Sequence, residues 1–128
     1  MIKKVTCIVI CLVTLCACAC GGTVFDGSRT GNESRLIMDF EVLNKTDFQK
    51  LTLAAGDIVD FNIVNKAGSI DISLQKDGEE PVYEETDVQT SSFQVQIYDG
   101  GTYTVSVTGK KARGSVSITK ADPDTETQ

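Results

Sequence analysis

The chain has 128 residues, with 12 Lys and Arg against 18 Asp and Glu for a net charge of −6, five cysteines and no histidine. Without imidazole, Ser-His-Asp and Cys-His nucleophile systems and histidine-bound zinc are excluded. The acidic balance speaks against nucleic acid, whose phosphates are bound through clustered Lys and Arg, and against adhesion to anionic lipid head groups.

All five cysteines fall within the first 20 residues. Lys3 and Lys4 precede an apolar run over residues 5–19, the order of charged and hydrophobic regions in an export signal. That run is shorter than the ~20 apolar residues needed to cross a hydrocarbon core, so cleavage is expected rather than a permanent span. The C-x-C-x-C of Cys16, Cys18 and Cys20 lies at the end of the apolar run. It lacks the spaced pairs on loops that a zinc or iron-sulfur site uses, and no metal ligand set is expected. A disulfide framework has no partner cysteines downstream.

The stretch Leu15-Cys16-Ala17-Cys18 resembles the lipobox of bacterial lipoproteins, with a large aliphatic three places before a cysteine and a small residue just before it. The resemblance implies a diacylglyceryl group on the Cys18 thiol and cleavage before it, making residues 1–17 the signal peptide. Cys20 is the alternative, less well matched because it would put Ala17 where leucine is preferred. The implied location is the cell membrane or envelope, lipid-anchored on the extracytoplasmic face, with two acyl chains sufficient for stable attachment. Ala19, rather than an aspartate, resembles default sorting to the outer membrane in a two-membrane cell.

Residues 18–35 are rich in Gly, Ser, Thr and charge after the cysteine and are expected to form a flexible tether. Residues 36–120 form the expected domain, and residues 121–128 an acidic, disordered tail. Within the domain, apolar residues recur at period two: Leu51 and Leu53, then Val59, Phe61 and Ile63, then Ile70, Ile72 and Leu74. The alternation continues at Phe93, Val95 and Ile97, at Tyr103, Val105 and Val107, and at Val116 and Ile118. One face on a core and one in water is the strand pattern, and no segment has a helical period. Turn chemistry at Gly56-Asp57, Lys66-Ala67-Gly68, Asp77-Gly78, Asp99-Gly100-Gly101 and residues 109–114 separates the runs. The fold class expected is an all-β, antiparallel Greek-key sandwich of seven or eight strands.

The stretch "DGGTYTVSV", residues 99–107, resembles the tyrosine corner of immunoglobulin-like domains, in which Tyr103 would pack its ring and cap a nearby backbone group with its hydroxyl. On that resemblance "GDIVDFNIV" is strand B, "SIDISLQKDGEEPVYEE" strands C and C′, "SSFQVQI" strand E, the strand opened by Tyr103 strand F and "GSVSITK" strand G. The chain departs from antibody domains in having Val105 in place of a core cysteine and no tryptophan for strand C. The "GTYTVSV" ending is also similar to the small sandwiches of the bacterial pre-peptidase C-terminal type, which serve as accessory modules on secreted proteins.

Candidate chemistry is sparse. S-x-x-K occurs at Ser73 to Lys76 and at Ser117 to Lys120, but on strands an odd offset sends the two side chains to opposite faces. Asp77, Glu79 and Glu80, and Asp122, Asp124 and Glu126, are acidic groups without the calcium loop pattern, read as solvated turns. Tyr83 and Tyr98 are candidate recognition aromatics, with partial burial as the competing reading. The sequons at Asn32 and Asn44 carry little weight in a bacterium. The expectation is a non-catalytic module that binds an unknown protein or glycan, with no cofactor, tied to the membrane through its lipidated cysteine. The alternative is an envelope-assembly or inhibitor-type lipoprotein. A carboxylate-based hydrolase ranks below both and would require two carboxyl groups about 5–9 Å apart in a groove.

Overall fold

A computed structural model describes residues 24–121; the expected signal peptide, Cys18, Cys20 and the expected tail from 122 onward lie outside the described residues. Seven strands follow one another: β1 (Val24–Asn32), β2 (Arg35–Asn44), β3 (Thr46–Leu53), β4 (Ile58–Lys76), β5 (Pro81–Glu85), β6 (Ser91–Gln96) and β7 (Gly101–Lys120).

Two of these strands organise the rest. β4 and β7, of 19 and 20 residues, pair antiparallel along their whole lengths, from Val59 against Lys120 to Lys76 against Tyr103. The register breaks around Ala67, where both strands bend. One pair of arms carries β6 on the β4 side and β2, then β1, on the β7 side. The other pair carries β5 beside β4 and β3 beside β7. The result is a five-stranded layer, β1-β2-β7-β4-β6, facing a four-stranded layer, β3-β7-β4-β5, an antiparallel sandwich made of strands that switch layers at a bend. Val59, Phe61, Ile63, Val116 and Ile118 from one layer meet Ile70, Ile72, Leu74, Val105 and Val107 from the other, all buried in one core.

The expected alternation therefore places the core, while the bends correct the expected turns. Lys66-Ala67-Gly68 and residues 109–114 do not end strands. They hold bends, with Gly68 at φ 74°, Lys111 at φ 53° and Gly114 at φ 147°. Strands B and C are thus one strand, as are F and G. The neighbours B with E, C with C′ and C with F are present as pairings of β4 with β6, β5 and β7. The expected strand G joins the layer of B and E, whereas in immunoglobulin domains it lies beside C and F.

Part of the expected tether is instead a strand: Val24–Asn32 is β1, paired with β2 from Val24 against Asn44 to Asn32 against Arg35. Most of its side chains are exposed, so hydropathy has no pattern there to reveal. Backbone hydrogen bonds hold it instead, and the Arg29 guanidinium ties it to β3 through Asp47 at 2.7 Å and the Phe48 carbonyl at 2.9 Å. Gly27 fits because a Cβ there would overlap the Asp39 carbonyl oxygen across the strand pair.

Tyr103 is buried and its hydroxyl donates to the Asp99 carbonyl oxygen at 2.6 Å, as the corner resemblance implies. Burial, more than the nearby charges, pushes its phenol above the usual range. Tyr103→Phe keeps the ring and removes this bond, so the urea midpoint should fall by the equivalent of about 1 kcal/mol with an unchanged slope. An unaltered midpoint would show that the hydroxyl contributes nothing to the corner.

Candidate functional site

The outer face of the four-stranded layer is the most developed surface. On β3 the core positions are Leu51 and Leu53, so Phe48, at an odd offset, must point outward, and it is 61% exposed. Cross-strand register puts Phe48, Ser106, Ser73 and Glu84 in one row across β3, β7, β4 and β5. At about 4.8 Å per strand the row is roughly 14 Å long. Thr46, Thr108 and Asp71 form the row on one side; Lys50, Thr104 and Gln75 form the row on the other.

The hydroxyls of this face are paired. Ser73 Oγ lies 2.7 Å from Ser106 Oγ, and Thr46 Oγ1 lies 2.8 Å from Thr108 Oγ1. Each such pair uses one proton and one lone pair, which leaves one donor and three acceptor positions for an incoming ligand. A groove of about 240 Å³ opens over this part of the sheet, lined by Asp71, Ile72, Ser73, Glu84, Glu85, Thr86, Ser106 and Thr108.

Three carboxylates border the groove. Asp71 Oδ1 accepts the Asp87 backbone N–H at 2.9 Å, and its other oxygen lies 3.9 Å from Lys110 Nζ. Glu85 Oε1 accepts the Tyr83 hydroxyl at 2.7 Å, while Glu84 is exposed. A glycosidase acid is typically held in apolar surroundings that keep it protonated. This groove is walled by hydroxyls and open to water, which suits hydrogen bonding to a ligand better than proton transfer.

Of the residues singled out in the sequence, Ser73 lines the groove, and the others fall elsewhere. The Tyr83 ring is partly buried and packs on Phe61 and Phe93, with centroids 5.3 and 5.0 Å away. Burial, then its bond to Glu85, lifts its phenol well above the ordinary range. Tyr98 is 80% exposed on the β6–β7 connection, away from the groove, and its hydroxyl reaches Gln96 Oε1 at 3.3 Å. Ser73 bonds Ser106, while Lys76 Nζ contacts Asp99 at 2.8 Å and Glu79 at 3.8 Å, so the S-x-x-K pair faces different partners. Asp77 accepts from Lys50 at 2.9 Å and from Thr104 at 2.9 Å, and these bonds, Lys50 first, hold its carboxyl below the usual range. Phe48 is the residue that sequence reasoning missed. Its signal was the odd spacing from Leu51 and Leu53, legible once β3 is known to begin at Thr46.

No family model and no curated protein matches the chain. Solved structures do resemble it. The periplasmic lysozyme inhibitor PliG of Aeromonas hydrophila, which acts on g-type lysozyme, is 12% identical over 76% of this chain and 88% of its own, with a TM-score of 0.47. A CBM4 structure is 11% identical over 82% of this chain and 83% of its own, at 0.42. TmCBM61 in complex with β-1,4-galactotriose is 15% identical over 73% of this chain and 66% of its own, at 0.37. At these identities the likeness concerns the fold alone: an all-β, antiparallel sandwich.

Proposed function

We propose that the chain is a lipid-anchored, extracytoplasmic binding module whose ligand is an oligosaccharide, held without catalysis on the outer face of the four-stranded layer. The observation that carries this reading is the exposed Phe48 ring at the end of a row of paired hydroxyls and a carboxylate. A sugar ring offers C–H groups to an aromatic face and hydroxyls that both donate and accept, matching that row in order. A protein partner would favour a contiguous apolar patch with several aromatic or arginine anchors, whereas the exposed large apolar groups of this face, Phe48 on β3 and Val82 on β5, stand on opposite edge strands. The anchor is supported by the lipobox alone. Mass spectrometry of the amino-terminal peptide should find diacylglyceryl on Cys18, and an unacylated chain retaining residues 1–17 would overturn that part.

Screening the mature protein against an oligosaccharide array should find a retained ligand. Phe48→Ala should weaken binding about ten-fold, roughly 1.4 kcal/mol, while Phe48→Tyr keeps the ring and most of the affinity. Reducing-end analysis should show the ligand uncut. Equal affinity in wild type and Phe48→Ala would remove this face from the function.

A further inference from the structure

The balance of charge in this acidic chain differs between the two ends of the sandwich. At the end where β4 and β7 bend stand Lys45 in the β2–β3 connection, Lys66 in β4, and Lys110, Lys111 and Arg113 in β7. Backbone pairing gathers them. The Gly109 N–H donates to the Lys45 carbonyl at 2.9 Å, the Lys111 N–H donates to Asn44 Oδ1 at 2.9 Å, and Ala67 pairs with Arg113. Arg113 and Lys110 have acidic neighbours, Glu41 at 3.5 Å and Asp71 at 3.9 Å; Asp87 is held against Asp71 through its backbone N–H, and Asp26 lies on β1 nearby, opposite Val42. Lys45, Lys66 and Lys111 are exposed, and among the described residues they form no ion pair. At the opposite end the turns carry Glu33, Asp57, Asp77, Glu79, Glu80 and Asp99, and the basic residues there are Lys50, paired with Asp77, Lys76, paired with Asp99 and Glu79, and Arg35 and Lys120 at strand ends, so acids outnumber bases at this end.

The chain enters at the basic end. Val24, the first residue of β1, pairs with Asn44, the neighbour of Lys45. Only residues 19–23, with Gly21 and Gly22 among them, separate Cys18 from Val24. A link of that length has a root-mean-square span of about 13 Å and a limit of about 21 Å. The nine residues of β1 alone extend about 30 Å. An acyl group on Cys18 therefore keeps the bend end, and not the acidic end, close to the head groups, near the ~8–10 Å over which surface charge is felt.

The net charge of −6 speaks against adhesion by charge alone, but with acyl chains holding the bend end at the bilayer only the local charge matters, and we propose that Lys45, Lys66 and Lys111 form a contact surface there for the anionic head groups of that membrane. This rests on the acylation of Cys18 proposed above. The acyl chains supply attachment, and the lysines supply orientation: the basic end is drawn to the negative surface while the acidic end is pushed from it. The sandwich then stands upright, with both outer sheet faces clear of the bilayer.

The test uses the acylated, processed protein reconstituted in vesicles of phosphatidylcholine alone or mixed with phosphatidylglycerol, with lysine acetylation mapped by mass spectrometry. Labelling of Lys45, Lys66 and Lys111 should fall about five-fold in the anionic vesicles only, and added salt should restore it. Lys50, at the other end, should label equally in both. The variant Lys45→Gln, Lys66→Gln, Lys111→Asn changes exposed positions only, with asparagine chosen because it tolerates positive φ. It should lose the lipid-dependent protection at Lys110. Acylated protein with the same labelling in both vesicles, or with protection at Lys50, overturns this proposal alone. An amino-terminal peptide without acyl mass overturns the acylation reading and this proposal with it.

Discussion

Gly114→Ala is expected to destabilise the protein by about 3–5 kcal/mol, read as a loss of urea midpoint. Two effects add at this position. Gly114 has φ 147°, a region that side chains rarely occupy, at a cost of about 1–3 kcal/mol. A Cβ there would also overlap the Val64 carbonyl oxygen, and Val64 belongs to the bend of β4. Gly114 lies between Phe40 of β2 and Asn65 of β4, so neither neighbour can retreat without breaking ladder bonds. Overpacking of this kind adds about 1–3 kcal/mol. Gly78→Ala is the control: φ is 83°, but open space surrounds the site, so only the conformational cost of about 1–2 kcal/mol applies. Equal losses at the two positions would show that the strand crossing at Gly114 has room to yield.

Phe61→Ala is expected to cost about 3–5 kcal/mol. Phe61 is buried and stacks on Phe93 of β6, with centroids 4.8 Å apart and planes 11° apart, and its ring meets Tyr83 of β5. Because β6 belongs to one layer and β5 to the other, this three-ring cluster closes one flank of the sandwich. Hydrogen exchange should therefore accelerate first in β5 and β6, ahead of β2 and β7. Tyr83 adds a pH signature. Its folded pKa is raised, so the stability tied to its proton is complete below the ordinary phenol value of about 10. It is lost as pH climbs beyond that value, where the unfolded chain releases the proton first. Phe61→Ala should flatten that alkaline decline. Uniform exchange across the strands and an unchanged alkaline slope would place the cluster outside the cooperative core.

Local pattern was sufficient wherever a residue's role depends on its own strand. Period-two alternation named the core of β4, β6 and β7, and "DGGTYTVSV" named a corner whose hydroxyl bond reaches back only four residues, from Tyr103 to Asp99. What local pattern cannot carry is the path of the chain between strands. Lys66-Ala67-Gly68 reads equally well as a turn or as a bend, since both need positive φ, and only pairing with β7 decides that β4 continues. β1 was invisible because edge strands are held by backbone bonds, which every residue but proline can make.

The surfaces depend on tertiary structure for the same reason. Phe48 joins Ser106, Ser73 and Glu84 only through the register of four strands. Lys45, Lys66 and Lys111 are far apart in the chain and share one end of the sandwich only through the pairing of β4 with β7 and the return of β2 to that end. The residues themselves determined an all-β core and the candidate anchor motif, through periodicity and nearest-neighbour chemistry. Which side chains share a face was decided by cross-strand pairing, an interaction between backbone groups that side-chain order does not record.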